Sequence, residues 1–285
     1  MDLTSPKTIR AVQEKFGFTF KKGLGQNFLT SREVLEDISD AADIENGVIE
    51  IGPGFGVLTA QLAAGSKKVV TIELDERLID VLAYTLSDFD NVKIINADVL
   101  KLDLKKLIDD EFNGERVSIA ANLPYYITTP IISKLLEERL PIKNIVVMVQ
   151  KEVAARMAAE PSSKDYGAIT VMCRYFTEPS IVTEVPAQLF VPRPKVDSAV
   201  LKLKVLDKPS VDVLDEGMLF RVVKAAFSQR RKTLLNCLCA NFPIPKDEMS
   251  SLLESVGVTP SRRGETLSLR EFADIADRIY QTEDN

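Results

Sequence analysis

The sequence predicts an α/β protein in which a largely parallel sheet carries helices on both faces and a smaller all-helical domain follows. Short β-branched runs alternate with amphipathic segments along the first two thirds of the chain, which is the pattern of strand–helix–strand units. A glycine turn, Gly52 to Gly56, joins one such strand to its helix. Beyond Pro209 the periodicity is helical throughout, so we place the two domains at residues 1–207 and 208–285.

The elements follow one another in a regular order. Predicted strands span residues 48–51, 68–73, 92–96, 117–121, 144–149, 180–185 and 198–205, the last two antiparallel. Predicted helices span residues 30–42, 57–64, 76–86, 104–112, 128–138 and 150–159, then 215–228, 231–241, 246–255 and 268–280. Thr30 with Glu33 forms a capping box for the first helix, and Asp75 begins the third. Because parallel strands place their carboxyl ends along one edge, we expect ligands there.

Composition limits the class of protein. The chain of 285 residues is 45% hydrophobic and 27% charged, as in soluble globular proteins. No apolar run approaches the roughly 20 residues that cross a membrane, and the polar N-terminus has no signal-peptide core, so we expect a cytoplasmic protein. The absence of histidine excludes Ser-His and Cys-His catalysis and any His-ligated metal. The three cysteines are too few and too unevenly spaced for a zinc site, and no metal is expected.

The distribution of charge is more informative than the net charge of −6. Residues 33–50 contain seven acidic side chains and no basic one, whereas residues 220–236 contain five basic side chains and no acidic one. A second basic cluster comprises Lys15, Lys21, Lys22 and Arg32. Such runs are often only solvated faces, but Lys21, Lys22, Arg230, Arg231 and Lys232 within these basic clusters are also candidates for contact with phosphate.

The segment Asn122-Leu123-Pro124-Tyr125 follows directly after the predicted strand 117–121. Pro124 favours an extended conformation of the preceding residue, which directs the Leu123 carbonyl outward beside the Asn122 amide. Two uncharged acceptors suit the two N–H groups of an adenine amine, and Tyr125 offers a flat face for stacking. An isolated Asn-x-Pro can also be a simple strand-ending turn, but the motifs upstream favour an amine site.

Two acids follow neighbouring predicted strands. Glu73 ends the second strand, where a carboxylate can accept hydrogen bonds from ribose hydroxyls, and Asp98 follows the third, where an adenine amine could be bound. The glycine turn after the first strand has the spacing G-x-G-x-G, at Gly52, Gly54 and Gly56. Val57 stands where a dinucleotide fingerprint, G-x-G-x-x-G, requires its last glycine. This turn instead resembles the first motif of S-adenosylmethionine-dependent methyltransferases. Five candidates therefore fall at one edge of the predicted sheet: Gly52, Gly54, Glu73, Asp98 and Asn122.

A proline-rich loop between the last two predicted strands carries Phe190. Pro192 and Pro194 keep this loop stiff, so an exposed Phe190 could be held against a flat ligand. The alternative is that Phe190 fills the core. The basic segment 21–29 is likewise either a loop that ends against a helix at a ligand site or a solvated arm.

Five segments together resemble the rRNA adenine N6-dimethyltransferase family. They are residues 26–29, 50–56, 122–125, 190–198 and 227–236, and the similarity extends from Lys21 to about Tyr280. It is strongest to the bacterial enzymes that act on small-subunit rRNA. The resemblance implies a Rossmann-like catalytic domain, a helical C-terminal domain that helps to bind RNA, and S-adenosylmethionine as the cofactor. It also implies a cofactor site lined by Asn27, Leu29, Gly52, Gly54, Glu73, Asp98 and Asn122.

The resemblance further implies a substrate: two adjacent adenosines in a hairpin near the 3′ end of small-subunit rRNA, each methylated twice within a partly assembled small ribosomal subunit. We expect a monomer without a membrane partner. The expected catalytic residues are Asn122, Leu123, Pro124, Tyr125 and Phe190, with the two aromatic rings stacking on an adenine turned out of its helix. The expected RNA-contacting residues are Lys21, Lys22, Lys151, Arg156, Arg230, Arg231 and Lys232.

Three alternatives remain open from the sequence. A large-subunit rRNA methyltransferase of the antibiotic-resistance type shares the glycine and Asn-x-Pro-Tyr motifs. A ribosome-assembly factor could carry methylation as an incidental activity. A DNA adenine methyltransferase is less favoured, because the Asp-Pro-Pro-Tyr form common there is absent.

Overall fold

The computed structural model describes residues 1–17 and 27–283. Its strands are β1 Phe28–Leu29, β2 Val48–Ile51, β3 Val69–Glu73, β4 Val92–Asn96, β5 Val117–Asn122, β6 Ile142–Gln150, β7 Thr177–Val185, β8 Phe190–Val191 and β9 Ser198–Val205. Its helices are α1 Pro6–Phe16, α2 Arg32–Ala42, α3 Val57–Gly65, α4 Ile79–Thr85, α5 Leu104–Phe112, α6 Thr128–Glu137, α7 Lys151–Met157, α8 Ala168–Phe176, α9 Glu216–Ala226, α10 Leu234–Cys239, α11 Lys246–Ser255 and α12 Leu269–Glu283. Across these two ranges, no helix has the length and apolar character needed to cross a lipid bilayer.

The main sheet confirms the predicted α/β fold. In the described chain its strands lie in the order β4-β3-β2-β5-β6-β9-β7. The neighbours from β4 to β6 are parallel, and β9 is antiparallel to β6. The strand order reverses between β2 and β5, and in open sheets of this kind ligands bind outside the carboxyl ends of the strands at that point. Ile51 pairs with both Ile72 and Ala121, so Gly52, Glu73 and Asn122 follow at one level.

The central strands are buried, as a sheet covered on both faces requires. Strands β2 and β3 are buried along their whole length, and β5 is buried up to Asn122. Parallel strands of this kind are nearly continuous in apolar residues, which explains why the sequence predicted them well. Asn122 is the first residue of β5 to reach solvent, so the site begins where the core ends.

The N-terminal cap of α2 differs from the prediction. Ser31, not Thr30, caps the helix, and its Oγ accepts a hydrogen bond from the Val34 amide at 3.4 Å. Thr30 instead donates its hydroxyl to the Leu189 carbonyl at 2.8 Å. The predicted capping box is therefore wrong, because Thr30 extends the pairing between β1 and the segment before β8.

Several element boundaries also differ from the predictions. Helices α1 and α8 were not predicted, although Pro6 at the first turn of α1 and Gly17 at its end, with φ +60°, are standard helix boundaries. The predicted helix 76–86 consists of a 3₁₀ turn, Glu76–Leu78, followed by α4. Helix α10 is shorter than predicted, and Gln150 belongs to β6 rather than to the following helix.

The chain divides into two compact units. The sheet unit comprises Met1–Ala154 with Glu178–Val205, and the helical unit comprises Ala155–Thr177 with Leu206–Asn285. Residues 155–177, placed in the first domain from the sequence, thus group with the helices that follow residue 206. Aromatic packing within that unit explains the grouping, since Tyr175 and Phe176 lie against Phe220 of α9, with ring centroids 5.5 and 5.7 Å apart.

Candidate active site

The carboxyl ends of strands β2 to β5 surround one open cavity. All seven residues predicted to bind the cofactor line it, together with four of the five predicted catalytic residues. The cofactor set is Asn27, Leu29, Gly52, Gly54, Glu73, Asp98 and Asn122, and the catalytic set is Asn122, Leu123, Pro124 and Tyr125. The sequence motifs therefore meet in space, although their individual roles stay predictions.

The turn between β2 and α3 depends on its glycines. Gly52 and Gly54 have φ values of +72° and +58°, a left-handed region that other residues enter at a cost. A Cβ on Gly54 would lie 2.6 Å from the Phe28 ring, whereas a Cβ on Gly52 would meet no atom within 4 Å. Gly54 thus permits close packing of the N-terminal segment, and Gly52 leaves space open beside the turn.

Glu73 links this turn to the end of β3. Its carboxylate accepts hydrogen bonds from the Gly54 amide at 3.3 Å and from the Asp75 amide at 2.8 Å. Burial raises the pKa of Glu73, while these two backbone bonds oppose the rise. The carboxylate is held rigidly at the cavity edge, which suits the predicted contact with ribose hydroxyls.

Asp98 occupies the loop after β4. Its Oδ1 accepts a hydrogen bond from the Leu100 amide at 3.0 Å, and its Oδ2 lies 3.7 Å from the Lys101 ammonium. The side chain is 28% exposed, so it remains accessible to a ligand in the cavity. This position is compatible with the predicted contact to an adenine amine.

Asn122 presents its side-chain oxygen as an acceptor. Its Nδ2 donates to the Asn27 carbonyl at 3.0 Å, which fixes the amide with Oδ1 on the other side. The Leu123 amide donates to the Met148 carbonyl at 3.1 Å, and the Leu123 carbonyl receives no hydrogen bond from the described residues. Pro124 then turns the chain into α6, because its carbonyl accepts from the Ile127 amide at 3.1 Å. These two neutral oxygens are the candidate acceptors at the end of β5, and their role toward an amine stays a prediction.

Two aromatic residues follow these acceptors. The Tyr125 hydroxyl is 2.9 Å from Ser198 Oγ, and burial raises the pKa of Tyr125, so the phenol stays neutral and its ring is held in place. Tyr126, which was not predicted as a site residue, also lines the cavity and is 58% exposed. The signal for it was an aromatic residue directly after the motif.

Phe190 does not line the cavity with the other predicted residues. It is 3% exposed, packs in the core with Val200 and Met148, and pairs with Leu29 where β8 meets β1. The expectation of an exposed ring is therefore wrong, and the alternative of a core residue describes the structure. Phe28, which was missed, lines the cavity and stacks on Phe55 with centroids 4.5 Å apart.

The predicted RNA-contacting residues are spread over both units. Lys21 and Lys22 lie outside the described residues. Lys151 is exposed in the sheet unit, where it forms an ion pair with Glu184 at 2.7 Å. Arg156 is exposed in the helical unit. These cations are accessible, and their contacts with RNA stay predictions.

The helical unit carries the basic cluster of Arg230, Arg231 and Lys232. All three residues are exposed and lie in the loop between α9 and α10. Arg230 donates to the Lys164 carbonyl at 2.6 Å, which anchors one side of the cluster. The cluster concentrates positive charge in a protein whose net charge is −6.

The lining of the cavity fits S-adenosylmethionine. Four acids line it, Glu50, Glu73, Asp75 and Asp98, and no Lys or Arg does so in the described part of the chain. A site for nucleotide phosphates would need the opposite charge. A cavity with acceptors for an adenosine and acids for a sulfonium and an ammonium suits this cofactor. The predicted contacts of Glu73 and Asp98 with the nucleoside, and of the glycine turn with the tail, stay predictions.

This edge of the sheet combines the glycine turn, which suits a cationic cofactor, with the two uncharged acceptors at the end of β5, which suit an amine. It defines a Rossmann-like, S-adenosylmethionine-dependent N-methyltransferase. The sequence matches the ribosomal RNA adenine dimethylase family over residues 17–281, and the chain belongs to this family.

Similar proteins agree with this assignment. The chain is 50% identical over 284 residues to proteins named ribosomal RNA small subunit methyltransferase A from Bacillus mycoides and Bacillus anthracis, covering 98% of this chain and 97% of each relative. It resembles the crystal structure of a dimethyladenosine transferase from Plasmodium falciparum with a TM-score of 0.72 and 28% identity, over 87% of this chain and 95% of that one. It also resembles the 23S rRNA methyltransferase ErmE with a TM-score of 0.68 and 27% identity, over 89% of this chain and all of that one.

Proposed function

We propose that this enzyme methylates the N6 amines of two adjacent adenosines, twice each, in a 3′-terminal hairpin of small-subunit rRNA during assembly of the small ribosomal subunit. The observation that carries the chemistry is the pair of neutral acceptors, Asn122 Oδ1 and the Leu123 carbonyl, beside the glycine turn. The choice of rRNA rests on the small-subunit relatives, which match nearly the whole chain. The proposal places a monomeric enzyme in the cytoplasm, where small subunits are assembled.

The target adenine must leave its helix, because its amine cannot be reached inside a stack. Tyr125, anchored through Ser198, offers a ring that does not need to be ordered on binding. Tyr126 at the exposed rim is available to a neighbouring base. Phe190 could stack on the target only if it left the core and the pairing with Leu29.

The two acceptors would bind both N–H groups of the amine and direct its lone pair toward the cofactor. S-adenosylmethionine supplies the methyl group and a good leaving group, so the protein contributes position and fixed dipoles. No general base is needed before transfer, because the amine becomes acidic only once it is alkylated and can then lose a proton to water. This agrees with a chain that contains no histidine.

The test is transfer of labelled methyl groups to small ribosomal subunits that lack this modification, followed by nucleoside analysis. We expect N6,N6-dimethyladenosine at two adjacent positions of the small-subunit rRNA. Label in large-subunit rRNA would favour instead the activity named for ErmE, and label in duplex DNA would contradict an RNA substrate. A variant without transferase activity that restores subunit maturation would support the assembly role.

A further inference from the structure

Glu50 is a buried carboxyl group in the wall of the cofactor cavity. It belongs to β2, two residues before Gly52, and is 1% exposed although it lines the cavity. Its Oε2 receives no hydrogen bond from any residue that the structure describes. A buried carboxylate without such bonds is costly, so this side chain needs either a proton or a cation.

Among the residues that the structure describes, the elements packed against Glu50 offer it no positive charge. It faces Thr59 on α3 and both Thr71 and Glu73 on β3, and its register partner on β5 is Ala120. Burial raises the pKa of Glu50 to about 8, the charge of Glu73 adds to the rise, and the two threonine hydroxyls oppose it. Neither threonine hydroxyl has a hydrogen-bond partner of ordinary geometry in the described chain. At neutral pH the side chain is therefore mostly uncharged before the cofactor binds.

We propose that Glu50 is a positioning residue that releases a proton when the cationic cofactor binds, so that the ionised carboxylate helps to hold it. This inference rests on the cofactor site described above. The ligand brings a sulfonium and an ammonium into a cavity whose described lining contains no Lys or Arg. A positive charge near a poorly solvated acid favours its ionised form. The O–H bond of the carboxyl breaks, the electron pair stays on Glu50, and the proton passes to solvent.

The consequence is that cofactor affinity depends on pH. Below the pKa of the free protein, each unit of rising pH makes the release of one proton tenfold easier. The cofactor's own amine stays largely protonated between about pH 6 and 7, because α-amino groups titrate near 7.7–8.0. In this window the amine of the cofactor contributes little to the pH dependence, and the comparison with Glu50→Gln isolates the contribution of Glu50.

Calorimetric titration of the full-length protein with S-adenosylmethionine at pH 6 and pH 7 tests the proposal. We expect the Kd to fall by up to about tenfold between these values, and buffers with different ionisation enthalpies to report release of close to one proton. Glu50→Gln keeps the shape of the side chain without a titrating proton, so its Kd should change little with pH. Exposed Glu178, which pairs with Lys204, provides a matched control, and Glu178→Gln should behave like the wild type.

Equal pH dependence and equal proton release in the wild type and Glu50→Gln would overturn the proposal. Cofactor binding by the wild type with no proton release would overturn it as well, while leaving the cofactor site intact. Failure of the wild type to bind S-adenosylmethionine at either pH would instead contradict the site itself. Thermal unfolding of Glu50→Gln shows whether the variant is folded, and a folded variant makes the comparison decisive.

Discussion

The side-chain amide of Asn122 has two functions in the proposed site, one for its nitrogen and one for its oxygen. Its Nδ2 donates to the Asn27 carbonyl, and its Oδ1 is the acceptor that we propose for the substrate amine. Removing one acceptor that acts in the transition state usually costs about 10²-fold or more in turnover. We therefore expect Asn122→Ala to lower kcat by roughly that factor, with a much smaller change in cofactor affinity.

Single-turnover methyl transfer and calorimetry of the same preparation separate the two effects. Asn46 is an exposed asparagine whose side-chain oxygen accepts a hydrogen bond from the Lys67 ammonium at 3.2 Å, so Asn46→Ala is a matched control. Full activity of Asn122→Ala would exclude the proposed role of its amide oxygen.

Glu50 also makes folding stability depend on pH. Its pKa rises from an ordinary value of 4.5 to about 8 in the folded protein, so between these values the folded state holds a proton that the unfolded state has lost. The contribution of Glu50 to stability therefore falls as pH rises, by up to about 1.4 kcal/mol per pH unit. The free energy of unfolding of Glu50→Gln, relative to the wild type, should increase from pH 5 to pH 8. Urea unfolding that shows a constant difference would contradict this.

Local chemistry explains which site residues the sequence could predict. Gly52 directly follows a buried strand, and Glu73 and Asn122 end two others, so parallel strands bring the three residues to one edge. The environment of Phe190 was not predictable in this way, because its burial depends on the pairing of β8 with β1, whose residues are remote in sequence. Asn122 was predicted as an acceptor, but its bond to Asn27 required the folded arrangement.

At the scale of elements, the β2–α3 turn offers a matched pair of substitutions. Gly52→Ala and Gly54→Ala both place a Cβ at positive φ, which costs roughly 1 kcal/mol or more. Only Gly54→Ala places the new Cβ 2.6 Å from the Phe28 ring, which is stacked on Phe55 and cannot easily move. We expect Gly54→Ala to lose about 1–3 kcal/mol more stability than Gly52→Ala, as overpacking does. Denaturant unfolding measures both, and the opposite order would contradict the packing described here.

Element boundaries were less predictable than element types. The strands of the sheet are apolar runs between turns, and the structure has them within a few residues of the predicted ranges. The cap of α2 was assigned to Thr30 because both Thr30 and Ser31 are good caps, and the choice was decided by the distant Leu189 carbonyl. Helix α8 was missed, and its packing against Phe220 is a contact between residues distant in sequence.

At the scale of the whole molecule, segregated charge gives an acidic protein an exposed basic cluster, which we propose to contact RNA. The basic cluster of Arg230, Arg231 and Lys232 is exposed, and removal of each cation that binds a phosphate should reduce the salt dependence of binding. We expect the triple alanine variant to weaken RNA binding and to lower the slope of log K against log salt by up to about 3.

The matched control removes the same charge elsewhere. Lys105, Lys106 and Lys246 are exposed and lie outside the basic cluster, so their triple alanine variant should keep the slope of the wild type. Filter binding to the small-subunit rRNA hairpin at several salt concentrations gives both slopes. An unaltered slope in the first variant would remove the cluster from the RNA interface.

The central claim is that neutral acceptors and position, rather than a general base, promote transfer of the methyl group. The most direct measurement is the single-turnover rate of methyl transfer as a function of pH, with RNA and S-adenosylmethionine both saturating. Because the amine needs no prior deprotonation, the rate should stay constant within about twofold from pH 6.5 to 8.5. A rate that rises tenfold per pH unit over part of this range would show an essential base and contradict the account.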